Sequence, residues 1–454
     1  MAVIRIPEEI WRKVRAHLMS RPGEHFAFMC AEYCATQDGP IFLVKDVHCV
    51  MDENVRADRD GYTVTPEGFL PAINMAVRNG TALIECHNHG GAQPGFSQTD
   101  RRGLPEFSQY VLDSLPGRPY AATVWGDCTI HGEFFATDGG GIFRSITVVG
   151  ERFRQVTSQT EDAVRPDVAF DRQILWFTDD GQRGLGHIRA AIVGAGGTGS
   201  QMAQQLAYLG IRDFVVVDDD AADDTSMNRL VTAAAADIGT PKAFLARRAI
   251  KSIAPSAKVR VMLSRIQSDD VLDALKQADV IFGCVDNDGA RLILNDISRA
   301  YCILYVDLAV GIEVEASGVV AAGGRVVVVT PGGPCLHCLD EIDITEAGFF
   351  LSDAKARAFQ VQRGYVKGMD VPAPSVVSLN AAVTAAAVNE FAIMVSGIRP
   401  ANVYTELDLL GTAYEAKGQR AGPRRVRMSP GCVVCASAGI GDRAGIERYA
   451  RPAG

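Results

Sequence analysis

The order of apolar and polar positions divides the chain into two textures. Up to about residue 150, short β-prone runs such as GPIFLVKDVHCV, YAATVWG and CTIHGEFFA predict strands set around helix-like segments, an α+β pattern. From Ile188 onward apolar strands alternate with long alanine-rich helices, which predicts a parallel sheet and places the chain in the α/β class. Between them GERFRQVTSQTEDAVRPDVAFD is polar and charged and reads as a linker. The expected division is a first domain over 1–150, a linker over 151–169, a second domain over 170–440 and a C-terminal tail over 441–454.

Composition narrows this picture. The 454 residues are 47% hydrophobic, enough for several buried cores. The most apolar stretch, VVSLNAAVTAAAVNEFAIMV, is broken by Asn380, Asn389 and Glu390, and MAVIRIPEEIW lacks the basic and apolar regions of a signal peptide, so a cytoplasmic protein without a membrane span is expected. A formal charge of −9 argues against a nucleic-acid binder, and the short RRVR at Arg424 reads as a local basic patch. Eleven cysteines in such a chain point to metal or thiol chemistry, not to a disulfide framework.

The stretch TALIECHNHGGAQPGFSQTD carries the first candidate chemistry. Its apolar start predicts a strand, on which residues two apart share a face, so His87 and His89 can meet one ion. SQTDRRG predicts a helix start with Ser97 at the cap and Asp100 in the first turn. Each fragment alone is compatible with satisfied polar side chains or a simple capping pair, but H-x-H followed by S-x-x-D resembles the signature of the JAMM zinc isopeptidases. That resemblance implies a catalytic Zn²⁺ on His87, His89 and Asp100, a general base at Glu24 in GEHFAFMCA, and an intermediate-stabilising hydroxyl at Ser97. Glu85 is the other carboxylate near the motif. The proline common after the second histidine is Gly90 here.

In the second half, IRAAIVGAGGTGSQMAQQLAYLG is a strand, a glycine-rich turn and a helix. Gly194, Gly196 and Gly199 form G-x-G-x-x-G, with Gly197 in the same turn, and Asp218 ends the next apolar run where a ribose-binding acid belongs. Alone this pattern is shared with NAD and FAD enzymes. The later stretches VVVDDDAADDTSMNRLV, DIGTPKAFLARRAI and ADVIFGCVDNDGARLILND, with FDRQILWF upstream, resemble in order the motifs of the ThiF/MoeB family of ubiquitin-activating-enzyme-like adenylyltransferases, over about Phe170 to Cys435. The resemblance implies a Rossmann-like fold, ATP as substrate, Arg229 and Lys242 on the phosphates, Asp286 on Mg²⁺, and Asp218 with Asp220 near the ribose and metal. It also implies a homodimer in which Arg172 reaches the neighbouring subunit's nucleotide. Where the family has asparagine three residues before the arginine this chain has Ser226, with Asn228 next to Arg229; either Asn228 takes over the contact or the phosphate grip is weaker.

PGGPCLHCLDE and SPGCVVCAS supply Cys335, Cys338, Cys432 and Cys435, two C-x-x-C pairs that suit a closed structural Zn²⁺ site, with His337 read as a surface residue. No cysteine lies between Cys338 and Cys432, where thioester-forming relatives place their nucleophile; YVKGMDVPAPSVVSLN offers only Ser375 and Ser378. Cys284 and Cys302 sit in apolar runs where a thiol is inert. The expected protein is a JAMM-like zinc peptidase fused to a ThiF/MoeB-like adenylating domain. It would process or remove a small ubiquitin-like protein and activate its C-terminal glycine without its own thioester, passing it to a conjugating enzyme or acceptor protein. The alternative is activation and trimming of a sulfur carrier for thiocarboxylate-dependent sulfur transfer. A scaffold with decayed sites is disfavoured by the intact His87, His89, Asp100, Lys242 and Asp286, and a dehydrogenase by the downstream motifs.

Overall fold

A computed structural model describes residues 2–58, 61–89, 95–127, 129–156, 167–352, 374–410, 414–417 and 427–451. Gly90, the segment 353–373 and most of the basic stretch at Arg424 lie outside the described residues. The chain divides into two compact units, Met1–Arg165 with Gly439–Gly441, and Pro166–Ala438 with Asp442–Gly454.

Unit 1 contains strands β1 (Ala2–Pro7), β2 (Phe26–Cys34), β3 (Ile41–Cys49), β4 (Val55–Asp58), β5 (Gly61–Val64), β6 (Ala82–Asn88), β7 (Tyr120–Trp125), β8 (Ile130–Ala136), β9 (Gly139–Val149) and β10 (Phe153–Gln155). Its helices are α1 (Glu8–Leu18), α2 (Pro66–Asn79) and α3 (Gln98–Ser114). The main sheet runs β1-β3-β2-β6-β7-β8-β9-β10, and β1 also pairs with β9, so the sheet closes on itself. Alternation along β6 sends Ala82, Ile84 and Cys86 into a core with Trp11, Val14 and Leu18 of α1, and Leu83 into a second core under α2 and α3. The expected linker is corrected at its start: β10 pairs antiparallel with the end of β9, because Phe153 supplies a fully buried ring in an otherwise polar stretch.

Unit 2 is a three-layer α/β arrangement. Its strands are β11 (Arg189–Val193), β12 (Asp213–Val217), β13 (Lys258–Met262), β14 (Val280–Gly283), β15 (Leu304–Glu315), β16 (Gly318–Val329), β17 (Tyr404–Asp408) and β18 (Tyr414–Lys417). They form one sheet in the order β13-β12-β11-β14-β15-β16-β17-β18, parallel through β15 and antiparallel beyond. The helices are α4 (Asp171–His187), α5 (Gly197–Leu209), α6 (Lys242–Ile253), α7 (Asp269–Lys276), α8 (Asp288–Ala300), α9 (Ile344–Leu351) and α10 (Val377–Ser396). The reversal of strand order at β11 and β14 makes the switch point where open α/β sheets bind ligands. Helix α10 is long and apolar enough to cross a membrane, and in this fold it is a core helix with Val383, Ala387 and Phe391 fully buried. Two of its polar interruptions are hydrogen-bonded: Glu390 accepts two bonds from Arg399, at 3.0 and 2.8 Å, and Asn380 donates to Ser375 at 3.2 Å.

The expected C-terminal tail is also corrected. Residues Gly441–Ala444 and Ile446–Tyr449 form 3₁₀ turns, and Tyr449 donates its hydroxyl to the buried Asp296 at 2.6 Å. The buried Ile446 and Tyr449, with the bonds of Tyr449 and Arg448 to Asp296, hold a segment whose composition reads as a tail.

Candidate active sites

In unit 1, β6 and the start of α3 build the first site. Ser97 caps α3 and forms a reciprocal capping box with Asp100: the Asp100 N–H donates to Ser97 Oγ at 3.2 Å, and the Ser97 N–H donates to Asp100 Oδ2 at 2.6 Å. The capping role is therefore real, and it aims the Asp100 carboxylate at the histidines. Asp100 Oδ2 lies 3.6 Å from His87 Nε2 and 3.5 Å from His89 Nε2, and Glu24 Oε1 lies 3.5 Å from His89 Nε2. The antiparallel register, which pairs Phe26 with His87, carries Glu24 to the level of His89.

These separations discriminate between two readings. Hydrogen-bonded partners stand roughly 2.7–3.2 Å apart, whereas donors about 2.0–2.1 Å from a tetrahedral zinc stand roughly 3.3–3.5 Å from one another. Nδ1 and Nε2 of the buried His87 stand 3.4 and 3.6 Å from Glu85 Oε1 and Asp100 Oδ2, beyond the usual hydrogen-bond range, and His87, His89 and Asp100 form one of the two clusters able to hold a metal ion among the described residues. Burial opposes a charge on His87, but the Asp100 and Glu85 carboxylates outweigh it and push its pKa up to about 9. Burial also opposes charge on Asp100, yet His87 and Ser97 hold its carboxyl down at about 2. Positive charge is thus stabilised where the three side chains meet, and the residues fit a zinc ion. The outer nitrogens are held in the manner of metal-binding histidines, with His89 Nδ1 3.0 Å from the Gly95 carbonyl and His87 Nδ1 3.4 Å from Glu85 Oε1.

Glu85 therefore stands behind His87, where Tyr120 donates to its other oxygen at 2.5 Å, and not on the side of Asp100 and His89. This arrangement separates the two carboxylates that the sequence offers. Glu24 faces His89, and burial raises its pKa.

In unit 2 a cavity of about 1270 Å³ opens at the switch point. Gly194, Gly196, Gly197, Asp218, Asp220, Ser226, Arg229, Lys242 and Asp286 line it. Gly194 takes φ +87°, and a Cβ there would meet the Cys284 carbonyl at 2.4 Å. Gly199 does not line the cavity; it lets α5 rest on the loop, since a Cβ there would stand 1.8 Å from the Gly194 carbonyl. Asp218 holds this loop, accepting from the Ala195 N–H at 2.6 Å and the Asp220 N–H at 2.9 Å, and its pKa is raised by burial. Lys242 pairs with Asp220 at 2.8 Å.

Two expected residues are placed elsewhere. Asn228 is exposed, accepts from Arg229 at 3.2 Å and does not line the cavity; the bond from the Arg229 N–H to the Ser226 carbonyl makes a turn that puts 226 and 229 on the cavity side and 228 outside. Arg172, exposed on α4, does not line the cavity of its own chain. Sequence reasoning passed over Arg265 and Asn287, which line the cavity after β13 and β14, and Arg291 in the first turn of α8; their position after parallel strands was the available signal. Cys284 also lines the cavity, with burial pushing its thiol up to about 12, and Cys302 is buried. Ser375 lines the cavity, whereas residues 365–373 of the expected thioester-loop region lie outside the described residues.

The two C-x-x-C pairs converge. Cys335 Sγ lies 3.8 Å from Cys338 and 3.8 Å from Cys432, and Cys338 lies 3.4 Å from Cys435. Sulfurs about 2.3 Å from a tetrahedral zinc stand roughly 3.8 Å apart. The Ser429 N–H donates to Cys338 Sγ at 3.3 Å, while His337 is exposed. The set fits a structural zinc. Cys432→Ser is expected to remove one zinc per chain and lower the melting temperature by roughly 5–10 °C, read by metal analysis and calorimetry.

The ThiF family model matches residues 170–427. A SAMP-activating enzyme E1 from Haloferax volcanii is 32% identical over 181 residues, which are 39% of this chain and 63% of that protein. The sulfur carrier protein ThiS adenylyltransferase of Escherichia coli is 28% identical over 179 residues, 38% of this chain and 68% of that protein. A crystal structure of E. coli MccB aligns at a TM-score of 0.46 and 17% identity over 60% of this chain and 72% of that one. The chain thus spans less than two thirds of the first relative's length. The family match leaves residues 1–169 outside it, so the reading of the histidine site rests on that site's own geometry.

Proposed function

Because the chain belongs to the ThiF family, we propose that unit 2 adenylates the C-terminal glycine of a small ubiquitin-like or sulfur-carrier protein with ATP. The observation that carries this is the one cavity lined together by the glycine turn, Arg229, Lys242 and Asp286. A carboxylate oxygen of the carrier attacks the α-phosphorus, the bond to the bridging oxygen breaks, and pyrophosphate leaves. Two anions must approach, so fixed positive charge is required there. The backbone of Gly194–Gly197 and the start of α5 cradle phosphates, Arg229 and Lys242 neutralise them, and Asp218 and Asp220 border the ribose. Asp286 would hold Mg²⁺, which supplies charge neutralisation to the leaving pyrophosphate. Arg172 acts on the neighbouring subunit's nucleotide in a homodimer.

Between the fates open to the adenylated carrier, the similarity to a ThiS adenylyltransferase supports sulfur transfer over the initially favoured conjugation. All cysteines among the described residues are unbridged, in keeping with a cytoplasmic setting. Burial pushes the Cys284 thiol up and Cys302 is buried, so the nucleophile that displaces AMP from the carrier's adenylate belongs to another protein. With ATP, Mg²⁺ and a captured small protein, mass spectrometry is expected to find a bound acyl-adenylate and no adduct on this chain that reducing agent removes. A reducible adduct lost in Cys284→Ala would make the chain itself a thioester carrier.

For unit 1 we propose a zinc-dependent peptidase of the JAMM type acting on the same carrier, either trimming its tail or releasing it from conjugates. Bound zinc would supply Lewis acidity to the scissile carbonyl and to water. Glu24, its carboxyl raised by burial, takes the proton of the attacking water and delivers it to the leaving amine. Ser97 accepts a bond from Asp100, which leaves its own hydroxyl proton for the developing oxyanion.

A further inference from the structure

The residue between the two histidines has a task of its own. Strand alternation turns the Asn88 side chain away from His87 and His89, and it is 7% exposed. Its Oδ1 accepts from the His25 N–H at 2.6 Å, and its Nδ2 donates to the Gly23 carbonyl at 3.0 Å. The carboxamide thus grips the backbone on both sides of Glu24. This segment precedes β2, and Gly23 takes φ +108°, so it enters the sheet only at Phe26, the first residue paired with β6.

We infer that Asn88 is a positioning residue that holds Glu24 against the metal site. The geometry is selective. A carboxamide presents one acceptor and one donor on a single planar group, which matches an N–H and a C=O two residues apart. Alanine offers neither, a serine hydroxyl is too short to span both, and aspartate would set a carboxylate oxygen against the Gly23 carbonyl. Because β6 ends at Asn88, the same strand that presents His87 also fixes the backbone bearing Glu24. Ligand and base are then registered through one strand, without relying on a loop, and an error of about 1 Å in such placement costs roughly 10²-fold in rate.

The inference rests on the zinc reading of unit 1, and the test separates the two. The full chain, with its cysteine knuckle kept zinc-loaded, is titrated with cobalt(II) at the histidine site, and the d–d absorption is compared for wild type, Glu24→Gln, Asn88→Ala and the double variant. Amide hydrogen exchange is followed over residues 23–26. Asn88→Ala is expected to retain one cobalt, to speed exchange of the His25 amide about 10-fold, and to reproduce the spectral change of Glu24→Gln, with no further change in the double variant. Should Asn88→Ala not fold, Asn88→Asp carries the test, since it keeps the bond from His25 and loses the one to Gly23. A wild-type spectrum in Asn88→Ala or Asn88→Asp, or additive changes in the double variant, overturns the positioning role. Failure of the wild type itself to bind cobalt at this site overturns the zinc reading, and the positioning role with it.

Discussion

Replacing Asp286 by alanine lowers carrier-dependent ATP–pyrophosphate exchange on the order of 10²–10³-fold, the effect of removing one fixed group that meets developing charge. Asp286 lines the cavity beside Asn287, and its carboxylate is the nearest unburied acid at the end of β14. Zinc content and folding are expected to stay unchanged, because the residue belongs to neither cysteine nor histidine cluster. Arg172→Ala gives a second loss by a different route. Mixed dimers of Arg172→Ala and Asp286→Ala chains should recover part of the exchange if the arginine serves the neighbouring subunit. Demonstrated mixed dimers without recovery would place its action within its own chain or nowhere.

The second large effect is in unit 1. Glu24→Gln is expected to cut hydrolysis of a tail-extended carrier by about 10²–10⁴-fold, the range for loss of a positioned base, while zinc stays bound. The substitution is isosteric and leaves His87, His89 and Asp100 in place. His89→Ala should lose both metal and cleavage. Normal cutting by Glu24→Gln would exclude it as the base. Glu85 would not inherit the role from its present position, since its two oxygens face His87 and Tyr120.

What was legible in the sequence was what short local spacing encodes. The glycines of the first βα turn, the paired C-x-x-C knuckles and the H-x-H with S-x-x-D all depend on a few bonds or on one helix cap, and they meet in space as the motifs imply. What escaped depends on pairing between distant strands. Tyr120 reaches Glu85 only because β7 runs beside β6, and Asn88 reaches Gly23 and His25 only because β2 does. Polarity misled twice, at β10 and at the C-terminal turns, where one buried Phe153 or Ile446 anchors a segment whose composition reads as linker or tail. A single turn bond, which sequence spacing does not reveal, puts Ser226 on the cavity side and Asn228 outside it.

The adenylating proposal has the family match behind it, and the peptidase proposal has the spacing of donor atoms among His87, His89 and Asp100. The most direct test is ATP–pyrophosphate exchange by the purified chain with Mg²⁺ and a glycine-terminated ubiquitin-like protein from the same genome, with NAD reduction followed in parallel. The account predicts exchange that requires the intact C-terminal glycine and no NAD reduction. Exchange that is absent with every such protein, or equal after the terminal glycine is removed, would contradict it.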